Sequence, residues 1–295
     1  MVKDSSWQAK AFQAGNYLFL VLLSLLCVVP LVHVLAMSFS RSTEVEAGLV
    51  GLWPVHFTTD AYRFVLGKSE FLESILVTLK RLAIGVPLNL LLVTLLAYPL
   101  SKEVKVFPMR TYFAWFVVFT MLFNGGLIPT YMVVKETHLL DSIWSLILPG
   151  AIPVFHVMLL LNFFRGVPKE LEEAAHMDGA GHGVTLFRIY LPLSVPVFAT
   201  IGLFAMVGHW NAWFDGMIYM NHPNHYPLQT YLRTIIIEQD LTVLSAEDAI
   251  SQYQNINPRT TRAAQVFLGA LPILLAYPFL QKYFMKGIVL GSVKG

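Results

Sequence analysis

The sequence predicts an all-α membrane protein, a single domain of six transmembrane helices. Of its 295 residues, 56% are hydrophobic and only 13% are charged, and the mean hydropathy is +0.62. About a quarter of the residues of a typical soluble domain are charged, so this chain has too few charges to cover a water-facing surface. Six apolar runs are long enough to cross a bilayer, at about residues 17–39, 71–99, 107–134, 143–164, 191–220 and 263–284.

The first two spans contain few reactive or charged side chains. The first is too long for the core of a signal peptide and lacks a convincing cleavage site, which predicts an uncleaved helix. Its Cys27 is the only cysteine, so neither a disulfide nor a cysteine metal site can form within the chain. Lys80 and Arg81 lie near the start of the second span, where they predict turns that leave the hydrocarbon or face a wet interior.

The next three spans are interrupted by helix-weakening residues. The third contains Asn124-Gly125-Gly126 followed by Pro129. The fourth and fifth contain Pro149, Gly150, Pro153, Pro192, Pro196, Gly202 and Gly208. Broken backbone is tolerated at membrane depth only against protein or a water-filled cavity, so these spans are expected to bend there.

Lysine and arginine indicate the orientation. They are concentrated in residues 1–14, 100–110 and 165–190 and in the C-terminal tail. The positive-inside rule therefore predicts that both termini and the loop 165–190 lie in the cytoplasm, and that the long polar loop 221–262 lies outside. The net charge of +2 gives no reason to expect a nucleic-acid partner.

The charged loop between the fourth and fifth spans predicts a short exposed helix. Pro168 suits the first helical position. Glu170, Glu172 and Glu173 fall in the first turns, where the helix dipole and solubility are sufficient reason for Glu170 and Glu172. Gly179 is expected to stop the helix.

One face of this helix carries small side chains. The residues three and four apart that share it are Leu171, Ala174, Ala175 and Asp178. The two alanines would allow the surface of another protein to approach closely. Nothing in such a solvated position would raise a carboxyl pKa toward general-acid use, so the glutamates are not expected to be catalytic.

The spacing of the loop resembles a known family. Glu173-Ala174-Ala175, Gly179, Ile189 and Leu191-Pro192 match the EAA loop of ABC-importer membrane subunits at every position. The flanking segments Asn124-Gly125-Gly126-Leu127-Ile128-Pro129 and Gly208-His209-Trp210-Asn211-Ala212-Trp213-Phe214 are similar to LplC-like oligosaccharide permeases of the carbohydrate-uptake branch. The resemblance extends from about residue 38 to residue 295.

This resemblance implies the type I importer (MetI-like) fold in the bacterial inner membrane. The implied partners are a second homologous permease subunit, two ATPase subunits that carry ATP and Mg, and an extracytoplasmic solute-binding protein. Residues 165–190 would be the coupling loop to the ATPase. The coupling residues are Leu171, Glu173, Ala174, Ala175, Asp178, Gly179, Leu191 and Pro192.

The chain shows no ATPase or metal site of its own. Gly67-Lys68-Ser69 lacks the earlier glycine of a phosphate-binding loop, since Tyr62 occupies that position. His176 and His182 are six residues apart, and neither this pair nor the pair His222 and His225 is completed by a carboxylate or cysteine in the sequence. We therefore expect no cofactor and no metal on this chain.

Polar and aromatic residues near the far end of the fifth span are candidates for the substrate path. They are Trp210, Asn211, Trp213 and Asp215, together with Asn124 of the third span. Sugars stack on aromatic rings and bind amides and carboxylates through their hydroxyls. Asn211 and Asp215 are four apart and would share one helix face. An interfacial aromatic belt is an equally open explanation of the tryptophans.

The function predicted is therefore the permease subunit of an ATP-driven importer of oligosaccharides, with acidic, uronate-containing sugars as one group of candidates. Two other classes stay open. One is a membrane-embedded enzyme that acts on lipid-linked sugars, and the other is an ion-coupled sugar transporter. The latter would need charged residues in mid-span, and this chain has few apart from Lys80, Arg81 and Asp215.

Overall fold

The computed structural model describes residues 7–234 and 258–292, with side chains as far as residue 275, and these residues contain helices and no strand. The helices are α1 Trp7–Ser38, α2 Ser42–Glu46, α3 Asp60–Leu66, α4 Ser69–Ser101, α5 Arg110–Leu122, α6 Leu127–Glu136, α7 Val154–Arg165, α8 Lys169–Met177, α9 His182–Thr185, α10 Leu191–Leu193, α11 Val195–Asn211, α12 Phe214–Tyr219 and α13 Pro258–Ser292. Short 3₁₀ turns occupy Ile143–Leu146, Leu148–Gly150 and Pro223–His225, and Leu186–Tyr190 is a π-helical turn.

The chain forms two compact units. The first consists of Met1–Ser69 and Thr234–Leu271, and the second of Glu70–Arg233 and Pro272–Gly295. In the first unit, the apolar window of α1 has none of its residues buried, as expected of a helix that faces lipid. The end of α1 packs against the segment that follows it through the small cluster Ala36, Val45 and Val50.

The second unit contains the main hydrophobic core. Its buried residues come from α4, α5, α7, the loop after α7, the π-helical turn and α11: Val93, Ala97, Tyr98, Leu100, Val117, Val157, Leu160, Leu161, Phe164, Val167, Leu186, Tyr190, Val197 and Ile201. Tyr98 and Phe164 each meet the ring of Tyr190 edge-on, with centroids 5.2 Å apart in both pairs. These aromatic contacts join the ends of α4 and α7 to the segment that enters the fifth span.

Breaks occur where the sequence predicts weak helices. The third span bends by 114° between α5 and α6, and Gly126 has φ +90 at this corner. The fourth bends by 51° between Ile143–Gly150 and Val154–Arg165, and the fifth by 80° between His182–Leu193 and Val195–Asn211. These interruptions confirm the predicted weakness of spans three to five.

The number of spans agrees only in part with the prediction. Helices α1 and α4 are each long and apolar enough to cross a membrane, and the three bent pairs bring the count to five among the described residues. Helix α13 covers the predicted sixth span but is not among these five, so the number of six spans remains a prediction. Residues 235–257 of the predicted outer loop, like residues 1–6 of the N-terminal segment, lie outside the described residues.

Candidate functional site

Helix α8 of the coupling loop ends in a Schellman motif. Gly179 adopts φ +78, its N–H donates to the carbonyl of His176 at 3.0 Å, and the Ala180 N–H donates to the carbonyl of Ala175 at 2.9 Å. These bonds satisfy carbonyls that a helix end would leave free. The predicted helix stop at Gly179 is confirmed. Pro168 lies one residue before the helix rather than at its first position, with φ −56 and ψ 130.

The small-residue face of α8 is open to solvent. Leu171 is 42% exposed, Ala174 and Asp178 are exposed, and Ala175 is half-buried. Glu173 is also exposed. The side chains at the loop exit differ, because Leu191 packs on the core whereas Pro192 is exposed. The structure therefore presents a short helix whose close-approach surface is available for another protein.

Glu172 fixes the other side of α8 to the body of the second unit. The Nζ of Lys102 donates to its Oε1 at 2.7 Å, and the Tyr190 hydroxyl donates to its Oε2 at 2.7 Å. Lys102 is only 6% exposed, and its Nζ lies 4.1 Å and 4.2 Å from the ring centroids of Tyr98 and Tyr190. The helix dipole and solubility, which the sequence offered as the reason for Glu172, are therefore an incomplete explanation, because this side chain anchors the helix.

The anchor favours the ionised carboxylate. Burial raises the pKa of Glu172, but the hydrogen bonds from Lys102 and Tyr190 outweigh burial and bring the pKa below the ordinary value of a glutamate. Because the folded-state pKa is the lower one, the contribution of the carboxylate to stability is complete above about pH 4.3 and is lost as the pH falls through the folded-state pKa. The anchor is thus fully formed at neutral pH.

We expect Glu172→Gln to loosen α8, because the amide leaves the buried Lys102 ammonium without its counter-charge. Loss of a hydrogen bond to a charged group costs about 1.5–3 kcal/mol, which corresponds to roughly ten- to hundred-fold faster amide exchange in α8. Hydrogen exchange followed by mass spectrometry measures this. Glu170→Gln is the matched control, since Glu170 is exposed on the same helix. Equal exchange rates in the two variants would refute the anchor.

A second polar cluster, the polar network, lies inside the second unit and consists of Arg81, Asn89, His209 and Asp215. Arg81 is 3% exposed and forms a bidentate ion pair with Asp215. Its Nε donates to Nδ1 of His209 at 3.1 Å, and one terminal nitrogen donates to the carbonyl of Leu146 at 3.0 Å.

Asn89 continues the polar network. Its Oδ1 lies 2.9 Å from Nε2 of His209, and its Nδ2 donates to the carbonyl of Ala151 at 2.8 Å. Gly85 permits this packing, because a Cβ at Gly85 would lie 2.8 Å from Nε2 of His209. The network therefore joins α4 to α11, to Asp215 of α12 and to the interrupted fourth span. The sequence places Arg81 and Asp215 134 positions apart and gave no reason to pair them.

The predicted substrate-path residues do not share one surface. Asn124 is exposed, and its Oδ1 accepts the Gly126 N–H at 2.8 Å within the α5–α6 corner. Trp210 is 7% exposed, and Asn211 is exposed. The predicted common helix face of Asn211 and Asp215 is wrong, because α11 ends at Asn211 and a new helix begins at Phe214. The intervening residues Ala212 and Trp213 are not helical.

Trp213 and Asp215 have protein partners. The guanidinium of Arg233 lies 4.9 Å from the ring centroid of Trp213, which is half-buried. Asp215 is the partner of Arg81 in the polar network, so its carboxylate is already hydrogen-bonded. Lys80, in contrast, is exposed. Among the five predicted residues, Asn124 and Asn211 are thus the exposed polar ones.

Turns bring together side chains that the sequence argument kept apart. The rings of His176 and His182 have centroids 5.5 Å apart, and Glu172 lies within reach of both. His225 lies 3.0 Å from Asp141, and His222 lies 3.8 Å from the same carboxylate. The expectation that no carboxylate accompanies either histidine pair is therefore wrong.

The apolar helices and the bent helix pairs are those of a multi-pass membrane protein, and its similarity to known proteins places it in the class of transport subunits. The chain belongs to the family described as the binding-protein-dependent transport system inner membrane component, whose family model matches residues 104–289. It is 41% identical over 289 residues to the polygalacturonan/rhamnogalacturonan transport system permease protein YtcP of Bacillus subtilis (strain 168), with 97% of this chain and 99% of that protein covered.

Two further similarities agree with this membership. The chain is 40% identical over 290 residues to the protein LplC of Bacillus subtilis (strain 168), covering 97% of this chain and 96% of that protein. Among solved structures it is similar to a bacterial ABC transporter involved in the import of the acidic polysaccharide alginate, with a TM-score of 0.85 and 30% identity over 95% of this chain and 98% of that one.

These similarities confirm the predicted resemblance to LplC-like permeases and the type I importer fold. The protein is a permease subunit of the inner membrane, and ATP hydrolysis belongs to a separate subunit. The transport system to which it belongs depends on a binding protein.

Proposed function

We propose that this chain forms half of the translocation pathway of an ATP-driven importer of acidic oligosaccharides, and that α8 transmits the motion of the ATPase. The observation that carries the proposal is the two-sided character of α8. One face is exposed and carries small side chains, while Glu172 on the other side is hydrogen-bonded to Lys102 and Tyr190. A helix with one face open to a partner and the other face bonded to the rest of the chain can transmit a displacement to the membrane helices.

The contacts define a route for that push. When ATP closes the two ATPase subunits, their surfaces displace α8 through the face that contains Ala174 and Ala175. The ion pair with Lys102 carries the displacement to the end of α4, and the hydrogen bond with Tyr190 carries it to the π-helical turn that enters the fifth span. Movement of these spans opens the pathway outward, and hydrolysis resets it.

The remaining partners follow from the same assembly. A second homologous permease supplies the other half of the pathway, two ATPase subunits hold ATP and Mg, and an extracytoplasmic solute-binding protein delivers the sugar. Both termini of this chain lie in the cytoplasm, which is supported by the distribution of Lys and Arg. In the pathway, Asn124 and Asn211 are exposed amides that suit sugar hydroxyls, and the half-buried Trp213 provides an aromatic surface, whereas Trp210 is buried.

The proposed substrate class is supported by the names of similar proteins. YtcP is described as a polygalacturonan/rhamnogalacturonan permease, and the similar solved transporter imports alginate. Both kinds of polymer contain uronates. Inside the chain, Arg81 cannot serve as a free cation for such a substrate, because Asp215 neutralises it.

Uptake by the complete importer in proteoliposomes tests the substrate and the energy source together. We expect ATP-dependent uptake of a labelled oligogalacturonate, which an excess of an unlabelled neutral oligosaccharide does not suppress. Suppression by the neutral sugar would contradict the acidic substrate class. Uptake that persists with an inactive ATPase would instead favour an ion-coupled transporter, and sugar turnover by the purified chain without ATP would favour an enzyme.

Cysteine cross-linking tests the docking surface. Cys27 is the only cysteine, so Cys27→Ser provides a cysteine-free background. We expect Ala174→Cys on this background to form a cross-link with an ATPase subunit that carries a cysteine in its docking cleft. Val184→Cys is the control, because Val184 is exposed in the same loop but lies on α9. Failure of Ala174→Cys to react above the level of the control would contradict the proposed contact.

A further inference from the structure

His176 and His182, which the proposed transport function does not use, form a compact cluster of metal-ligand types with Glu172. One atom from each side chain, a carboxylate oxygen or a ring nitrogen, lies within 4.8 Å of the other two. Glu172 and His176 are four residues apart on one side of α8. The left-handed turn at Gly179 then brings His182, the first residue of α9, back toward them.

The hydrogen bonding of His176 prepares it to bind a metal. Its Nδ1 lies 3.0 Å from the carbonyl oxygen of Ala180. A carbonyl can only accept, so Nδ1 carries a proton, and in the neutral ring Nε2 then holds the lone pair. This Nε2 lies 3.6 Å from Oε1 of Glu172. A backbone carbonyl that fixes the tautomer in this way is the usual outer partner of a metal-ligating histidine.

We propose that Glu172, His176 and His182 bind a divalent transition-metal ion of the Zn²⁺ type. Two imidazoles and one carboxylate match the ligand preference of Zn²⁺, whereas Mg²⁺ and Ca²⁺ prefer oxygen ligands alone. The fourth position is left for water or for a side chain of a partner subunit. An ion in this site bridges α8 to the start of α9 across the turn at Gly179.

Small side-chain movements complete the site. Ligand atoms around a tetrahedral zinc ion lie about 3.3 Å apart, since each is about 2.0–2.1 Å from the metal, so the ligand atoms must approach one another by up to about 1.5 Å. Both rings are exposed and can rotate. Lys102 competes with the ion for Oε1 of Glu172. When the ion binds that oxygen, the Nζ of Lys102 keeps its cation–π contacts with the rings of Tyr98 and Tyr190.

Calorimetric titration of the complete, chelator-stripped importer with Zn²⁺ tests the site. We expect one ion per copy of this chain, bound at least about ten-fold more weakly after His176→Gln or His182→Gln. His138→Asn is the matched control, because His138 is an exposed histidine of a different loop, and its left-handed backbone (φ 55) accommodates asparagine. Binding as tight in His176→Gln and His182→Gln as in the unmodified importer would overturn the proposal.

Hydrogen exchange provides a second readout that does not depend on transport. Zn²⁺ is expected to slow amide exchange in residues 177–181, the turn that the ion would bridge, in the unmodified importer and in His138→Asn. The His176→Gln and His182→Gln variants should show no such slowing. Exchange that is insensitive to Zn²⁺ in all four proteins would also overturn the site.

Discussion

Gly179→Leu is expected to abolish sugar uptake while the chain still inserts into the membrane and assembles. Gly179 has φ +78, a conformation that costs a residue with a side chain about 1–2 kcal/mol. Nothing lies within 4 Å of a Cβ at this position, so the added side chain meets no steric clash at its Cβ and the cost is backbone strain. The strain instead redirects the exit of α8, and under the proposed function the side chain projects toward the docked ATPase. Uptake by proteoliposomes, with membrane insertion measured in parallel, checks this result.

Two further substitutions separate backbone strain from added bulk. Gly181→Leu adds the same side chain in open space at φ −77, so it should reduce uptake much less. Gly179→Asn should preserve most of the uptake, because asparagine accepts the left-handed conformation. Normal uptake by Gly179→Leu would contradict the role of α8 in coupling.

Arg81→Gln is expected to destabilise the importer strongly. It leaves the Asp215 carboxylate without its counter-charge and removes the donors to His209 and to the carbonyl of Leu146. Removal of one member of a buried ion pair costs about 3–5 kcal/mol. The adjacent residue provides a matched control, because Lys80 is exposed and Lys80→Gln should change stability by no more than about 0.5 kcal/mol. Thermal unfolding of the purified importer compares the two.

A double substitution tests whether the cost comes from the unpaired charge. Arg81→Met combined with Asp215→Leu removes both charges and should recover part of the stability lost in Arg81→Gln. Recovery should be incomplete, because His209 and Leu146 still lack their donor. If Arg81→Gln unfolds at the same temperature as Lys80→Gln, the polar network is not a structural element of the fold.

Local chemistry was predictable from the sequence where near neighbours along the chain determine it. The stop at Gly179 and the break at Asn124-Gly125-Gly126 depend on glycine itself, and both occur as expected. The resemblance of the loop identified the family for the same reason, because its spacing is a short-range pattern. Helix ends were less predictable. Pro168 was expected to be the first residue of α8, but the helix begins one residue later, at Lys169.

Contacts between distant parts of the chain were not predictable. Arg81 was placed in a wet or protruding turn, whereas it is buried against Asp215. Glu172 was explained by the helix dipole, because nothing in the sequence connects it to Lys102, 70 positions away. Lys80 and Arg81 are adjacent cations, and the sequence does not indicate which of the two side chains turns inward. Only the packing of α4 decides this.

The corner between α5 and α6 determines what must surround this protein in the bilayer. Asn124 and Gly125 lie outside both helices, and both residues are exposed. Hydrocarbon offers no hydrogen bonds to their peptide groups, so lipid cannot be their neighbour at membrane depth. Where this corner lies at membrane depth, protein or water must therefore cover it. Under the proposed function, the second permease subunit or the water of the pathway does so.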